Sequence, residues 1–465
     1  MTKLVFSTVS LLLLFFTFSV SSCKKPLLLS KGNLNFSTDT LVFDTVFTTI
    51  GSTTQQFKVY NNDSKVLNIE EVQLMGGENS PFRINFDGLK GTSFSDIQIE
   101  GDDSLFVFVE VTLQANGGLT PLIIEDSIRF KSNGKDQYVK LAVWGQDAYF
   151  HYLDDNEGTW ANDKPHVIYG AAFVNPGKSL IIQAGTKIYM HKGSFLIVDK
   201  GSITIDGTLG NEVEIQGDRL EPSYANVSGQ FYGIYLGEAL PSKINYCNIK
   251  NGTAGIHVFS EDPSNPGYTL EITNSKITNC ARYGLFLYSG GKIKAENCIF
   301  AKNEFHALFV LRGGDFNFNH CQLLGYGNGD TPAVGISNYY QDTVRPIDEG
   351  VITNSVIYGS LTQEIAIDTI NPNQTFTFGF LFKNNLIRSE VVPTDAFFQN
   401  NIWNEDPVFI SVEQNDFYFW STSPMNNAAD PTIPNTLPPA AGIGIKGAAY
   451  PRSLSTPDLG AYERI

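Results

Sequence analysis

The sequence predicts an all-β protein in two parts, a sandwich followed by a coil of short stacked strands. Three observations carry this. Aromatics and glycines are plentiful, and Asn, Thr and Ser crowd the gaps between short apolar runs, the texture of strands joined by tight turns. Residues 33–147 alternate apolar and polar through about seven runs punctuated by Gly, Asn and Asp. Further on, the pattern apolar-x-Asn-x-x-apolar recurs at intervals of 23 to 34 residues, as in a solenoid.

The chain has 465 residues and a net charge of −16. That charge argues against nucleic acid, whose affinity comes from Lys and Arg neutralising phosphates. It also weakens the steering of polyanions. There is no phosphate loop, no CxxC and no HExxH, so no metal site is expected.

Residues 1–23 read MTKLVFSTVSLLLLFFTFSVSSC, with Lys3 ahead of an apolar run from Leu4 to Val20. This is a secretion signal. The Val-Ser-Ser-Cys ending resembles the bacterial lipobox, which implies cleavage before Cys23 and its lipidation, hence a membrane partner through a lipid anchor. Surface-exported lipoproteins of Bacteroidetes usually carry acidic residues after that Cys. Lys24, Lys25 and Pro26 follow here, so the resemblance favours the periplasmic face of the outer membrane over the cell surface.

The runs between LNFSTDTLVFDTVF and YVKLAVWGQDA fit an immunoglobulin-type sandwich. Their order, with a late NG…VKLAVWGQ strand, resembles the Hydin-like (ASH) branch of such sandwiches. The expected role is a spacer. After a polar stretch, VNPGKSLIIQAGTKIYMHKGSFLIVDKGSITIDG resembles the opening rungs of right-handed parallel β-helices of the pectate-lyase-like superfamily. The repeats INYCNI, ITNSKI, AENCIF, FNHCQL, ITNSVI and FKNNLI start at residues 244, 272, 295, 318, 352 and 382. They imply about ten rungs. The expected layout is a signal peptide over 1–22, a lipidated tether over 23–32, the sandwich over 33–148, a linker over 149–164, the β-helix over 165–404 and a segment over 405–465 that caps the last rung. Taken together, the chain resembles lipid-anchored sandwich-plus-β-helix proteins of Bacteroidetes, a family that implies no settled activity.

Aligning the repeats stacks Asn274, Asn297, Asn354 and Asn384 in one column, with Tyr246 and His320 as exceptions. Stacked amides donate to and accept from one another, and the column resembles the asparagine ladder of the superfamily. The next column is small, with Cys247, Cys298 and Cys321 read as packed free thiols. A disulfide between Cys298 and Cys321 is the alternative.

A second set of strands, GIYLG, GIHVF, GLFLY, ALFVL and GISNY, sends its second and fourth residues inward by period-two geometry. The third and fifth face out. They form an aromatic strip of Tyr235, His257, Phe259, Phe286, Tyr288, Phe309 and Tyr339, with Ser337 expected in the third column. Loops 260–269 and 340–350 are long enough to cover the strip. Alternatively it receives a protein partner, or stacks on sugar rings.

In the superfamily this face lines the substrate groove. The expected outward columns hold no Asp or Glu, which argues against a two-carboxylate hydrolase. The expected function is therefore non-catalytic: an envelope lipoprotein that recognises a glycan or protein partner through the strip, without a cofactor. The alternative is a calcium-assisted lyase acting on an acidic polysaccharide, with Lys250, Arg282 and His306 as neutralising and proton-abstracting groups.

Overall fold

The computed structural model describes residues 29–465 except 116, 119–121, 262–266 and 328. The signal segment and Cys23 lie outside the described residues. Helix is confined to three 3-10 turns among them, and no helix is long and apolar enough to cross a membrane. The chain divides into two compact units, one ending at Asp147 and one beginning at Ala148.

The first unit is a sandwich of two five-stranded sheets. Asn35–Phe36, Gln55–Asn61, Asp103–Val111, Phe82–Phe86 and Leu89–Gly91 pair antiparallel in that order. Thr40–Phe47, Lys135–Gln146, Leu122–Ser132, Leu67–Leu74 and Ser93–Ile99 form the other sheet. Its first pair runs parallel, with a register break at Val143/Trp144, where an extra residue bends the strand. Inward residues of both sheets meet in a core that includes Phe43, Phe57, Phe82, Phe86 and Phe130.

The second unit is a right-handed parallel β-helix with three faces. Ten parallel strands from Gly158–Trp160 to Phe398–Gln399 form the first face, and a continuous 18-stranded sheet forms the second and third. Most corners of the coil contain a residue with positive φ. Between first and second faces these are Tyr246, Asn274, Asn297, His320, Asn354 and Asn384, at 42° to 56°. Asn is the non-glycine residue best suited to that region, which explains the recurring motif. Between second and third faces stand Asn251, Asn279 and Lys302, and between third and first Lys200, Glu238, Ser289 and Arg312.

The interior is columnar. Ile234, Ile256, Leu285, Leu308 and Val334 stack in register, as do Leu236, Val258, Leu287, Val310 and Ile336. All are buried. Each such side chain stabilises the coil by roughly 1.5–3 kcal/mol.

Three expectations are corrected. Residues 149–164 are not a linker. Tyr149–Asp155 and Gly158–Trp160 pair parallel with the strands that follow, and His151, Trp160 and His166 stack face to face beneath them. The polar composition of 154–164 hid these short strands. Nor does the 405–465 segment stop at the last rung. It runs back along the outside of the second face, where Phe417, Phe419, Met425, Leu459 and Tyr462 pack on Ile299, Leu324 and Tyr358. It reaches as far back as Gly447 against Leu209. The outward residues of that face are apolar because they are covered.

The asparagine ladder, finally, is not continuous. Asn297 Nδ2 donates to Asn274 Oδ1 at 3.1 Å, but Asn274 and Asn354 donate to Asn245 and Asn319, one residue off the column. His320 replaces an amide in the column and meets Asn354 Nδ2 at 3.4 Å through Nε2, and Asn384 Oδ1 is buried without a partner among the described residues. Cys247, Cys280, Cys298 and Cys321 are free, buried thiols.

A candidate ligand cleft at the end of the aromatic strip

The strip lies on the outside of the third face. Parallel pairing sets Tyr235, His257, Phe286 and Phe309 in one line. Each is half-buried, because each ring lies against the next. Centroids are 4.9 Å apart for Tyr235–His257, 4.5 Å for His257–Phe286 and 5.5 Å for Phe286–Phe309, the last pair within 11° of parallel. A second line, one column toward the strand start, holds Tyr232, Tyr283 and His306. Tyr283 packs on Phe286 at 4.7 Å and on Phe309 at 5.2 Å, and His306 lies on Phe309 at 4.6 Å. The platform is two aromatics wide at the rungs of Tyr232, Tyr283 and His306, and one wide at the His257 rung, where Ala254 takes the second position. The pattern was present in the sequence, as an aromatic just before Gly233, Gly284 and Ala307.

Along the strip, ring faces are consumed by neighbouring rings. At the far end no ring of the next rung continues the stack. Phe309 pairs with Gly335, and Gly335 with Ala366. The expected placement of GISNY was therefore two residues out of register. Ser337 stands in the fifth column, and Tyr339 lies beyond it, opening the hairpin Tyr339–Tyr340 to Thr343–Val344. A two-residue shift keeps every side chain on its face, so alternation alone does not detect it. The registered fifth column also contains Asp199 and Asp368 at its two ends, against the expectation of no carboxylate. About six rungs of ~4.8 Å separate them, too far for paired acid–base work.

Because Gly335 has no side chain, the ladder ends in a cleft of about 380 Å³ lined by His306, Phe309, Gly335, Tyr339, Tyr340 and Asp368, among others. Its wall is held rigidly. Asn338 is fully buried and bonds Arg345 O, Ile370 O and Ile370 N at 3.0, 2.9 and 2.8 Å. Tyr339 Oη donates to Asp368 Oδ2 at 2.6 Å, and this bond raises the phenol's pKa. His306 Nδ1 donates to Pro332 O at 2.6 Å, and burial lowers its pKa. The imidazole is neutral, with Nε2 as its acceptor. His257 accepts or donates at 2.7 Å with Tyr232 Oη, and burial pulls it down to about 4.

The remaining candidates are placed as follows. Phe259 stacks on Tyr288 at 5.8 Å. Tyr288 is flanked by Tyr340 at 6.3 Å and by the Arg312 guanidinium at 5.9 Å. Arg312 is itself bonded to Glu261 at 2.9 Å. The 340–350 loop thus borders the fifth column and leaves the cleft open. Arg282 and His306 are neighbours on adjacent rungs, with His306 N donating to Arg282 O at 3.1 Å, whereas Lys250 lies on a different face. Lys250 ends a strand of the second face, Arg282 lies exposed in a corner over Phe305, and His306 begins a strand of the third face. Among the described residues, no group of three or more His, Cys, Asp or Glu side chains stands at metal-binding spacing.

The sequence matches the family described as right handed beta helix region over residues 152–323 and 264–389, together just over half of the chain. The chain belongs to the right-handed β-helix family. No curated protein matches it. Among solved structures, it is similar to a family 123 glycoside hydrolase from Clostridium perfringens studied for glycolipid glycan hydrolysis. That likeness has 10% identity and a TM-score of 0.19, over 26% of this chain and 30% of that one. It is also similar to the ASH/PapD-like domain 7 of human CEP192, at 11% identity and a TM-score of 0.17, over 28% of this chain and 94% of that one. This β-helix protein thus spans about 30% of the hydrolase's length.

Proposed function

We propose that this β-helix protein is a non-catalytic, glycan-binding lipoprotein of the bacterial envelope. The observation that carries the reading is the end of the ladder. A sugar ring stacks on an aromatic face through its flat C–H surface, and the faces of Phe309 and His306 border an open cleft instead of a further ring. Its volume falls in the range of small-ligand sites, roughly 300–1,000 Å³. The stacked rings upstream fix the position of Phe309, so binding orders little that was mobile. The sandwich serves as an ASH-like spacer. The Cys23 lipid holds the protein at the outer membrane, facing the periplasm.

The lyase alternative has weaker support: Arg282 and His306 are neighbours, but Lys250 lies on a different face, and among the described residues no Lys or Arg lines the cleft. The test is affinity electrophoresis of soluble protein beginning after Cys23, in gels containing neutral or acidic polysaccharides, with absorbance of unsaturated uronate followed in parallel. Retardation without product, lost in Phe309→Ala, supports the proposal. Product that grows with time and disappears in Arg282→Ala overturns it in favour of the lyase. Palmitate labelling of the native chain, abolished by Cys23→Ala, tests the anchor.

A further inference from the structure

The cleft has a definite polarity, and this points to its ligand class. Among the described residues, its one charged lining group is the Asp368 carboxylate. Oδ2 accepts the Tyr339 hydroxyl at 2.6 Å, and among the described residues Oδ1 carries no hydrogen bond. A carboxylate offers about four acceptor sites, so most of its capacity faces solvent. Among the described residues, no cationic side chain lines the cleft to neutralise an anion. The nearby Arg312 on the strip is committed to Glu261 and Thr343. The chain's net charge of −16 acts in the same direction.

Building on the glycan-binding reading above, we propose that the cleft selects a neutral sugar and rejects uronates. One face of the ring lies on Phe309 and His306, and two adjacent hydroxyls donate to Asp368. Hydroxyls that donate to a carboxylate form charge-assisted bonds, stronger than neutral ones. A uronate would bring a second carboxylate against Asp368 with no counter-charge in the cleft, and like charges at such close range repel. Tyr339, held protonated by the same carboxylate, fixes the orientation of Asp368. The groove of this protein is thus opposite in preference to one built for acidic polymers.

The experiment is calorimetric titration of soluble full-length mature protein with neutral gluco-, manno- and galacto-hexasaccharides and with hexagalacturonate. The variants are Asp368→Asn, Asp368→Ala and Phe309→Ala. Asp368 is solvent-exposed, so its substitution leaves the fold intact. The expected result is binding of at least one neutral hexasaccharide, weakened tenfold or more by Asp368→Ala and by Phe309→Ala. Hexagalacturonate should give no heat with the native protein and should begin to bind the Asp368→Asn variant. Hexagalacturonate binding as tightly as the neutral sugars, or affinities unchanged by both Asp368 variants, would overturn the selectivity. The aromatic reading would survive those outcomes provided that Phe309→Ala still abolished binding. If no saccharide binds the native protein, both the selectivity and the glycan reading fall.

Discussion

Gly335 lies in register with Phe309 on the adjacent rung, and a Cβ built on it would stand 3.1 Å from the Phe309 ring and 2.9 Å from His306 Cε1. The absence of a side chain at that position is what leaves the cleft open.

Filling the position should close it. Gly335→Phe extends the ladder by one ring and removes glycan retention. Gly335→Ala forces the two rings to shift, at a cost of about 1–3 kcal/mol, and weakens retention less. Affinity electrophoresis and urea unfolding of both variants check the order. Full retention by the folded Gly335→Phe variant would show that the ligand sits elsewhere.

Asn297 is the point where the C-terminal segment is fastened to the coil. Its Oδ1 accepts from Arg452 Nη2 and Asn435 Nδ2, each at 2.7 Å, and its Nδ2 donates to Ile443 O at 2.8 Å. Arg452 also meets Glu463 at 3.2 Å, with both side chains buried. Asn297→Ala strands this charge network and puts Ala at a φ of 56°. The expected loss is about 3 kcal/mol or more, read by urea unfolding. Limited proteolysis should cut first within 405–465, and a variant as resistant as the native protein would contradict the fastening role.

Burial pulls His166 and His257 from 6.5 down to about 4. Both are neutral in the fold, so unfolding between those values takes up protons. Their contribution is complete above pH 6.5 and lost as pH falls toward 4. Glu364, pushed up to about 7 by burial, acts in the opposite sense, favouring the fold as pH falls through that value. Comparing native protein with His257→Phe isolates the histidine. The variant's Tm should fall less between pH 6.5 and 4, and parallel curves would refute its share.

The four thiols are buried and free, and burial raises the pKa of Cys247, Cys280 and Cys321. Mature protein lacking Cys23 should resist maleimide when native. It should take up four labels per chain in denaturant without reductant, counted by mass spectrometry. Two labels would indicate a disulfide, most simply Cys298 with Cys321.

Much of the coil was legible because its constraints repeat. Asn274, Asn297 and Asn354 occupy corners that need positive φ, and Leu285 and Leu287 alternate with Phe286 and Tyr288 at period two. The cleft was less legible. Its existence depends on whether Gly335 or Ser337 lies next to Phe309, and both choices satisfy the alternation. Asp368 escaped notice for the same reason, since its column is defined only once Ser337 is registered. The outward apolar residues of the second face, such as Ile299 and Leu324, gave no sign that their cover arrives from Phe417 and Leu459, far later in the chain.

The most direct test is a crystal structure of the mature soluble protein soaked with the neutral hexasaccharide that binds it most tightly. The account predicts one sugar ring stacked on Phe309 and His306, above Gly335, with hydroxyls on Asp368. A ring bound along another face, or a saturated crystal with an empty cleft, would contradict it.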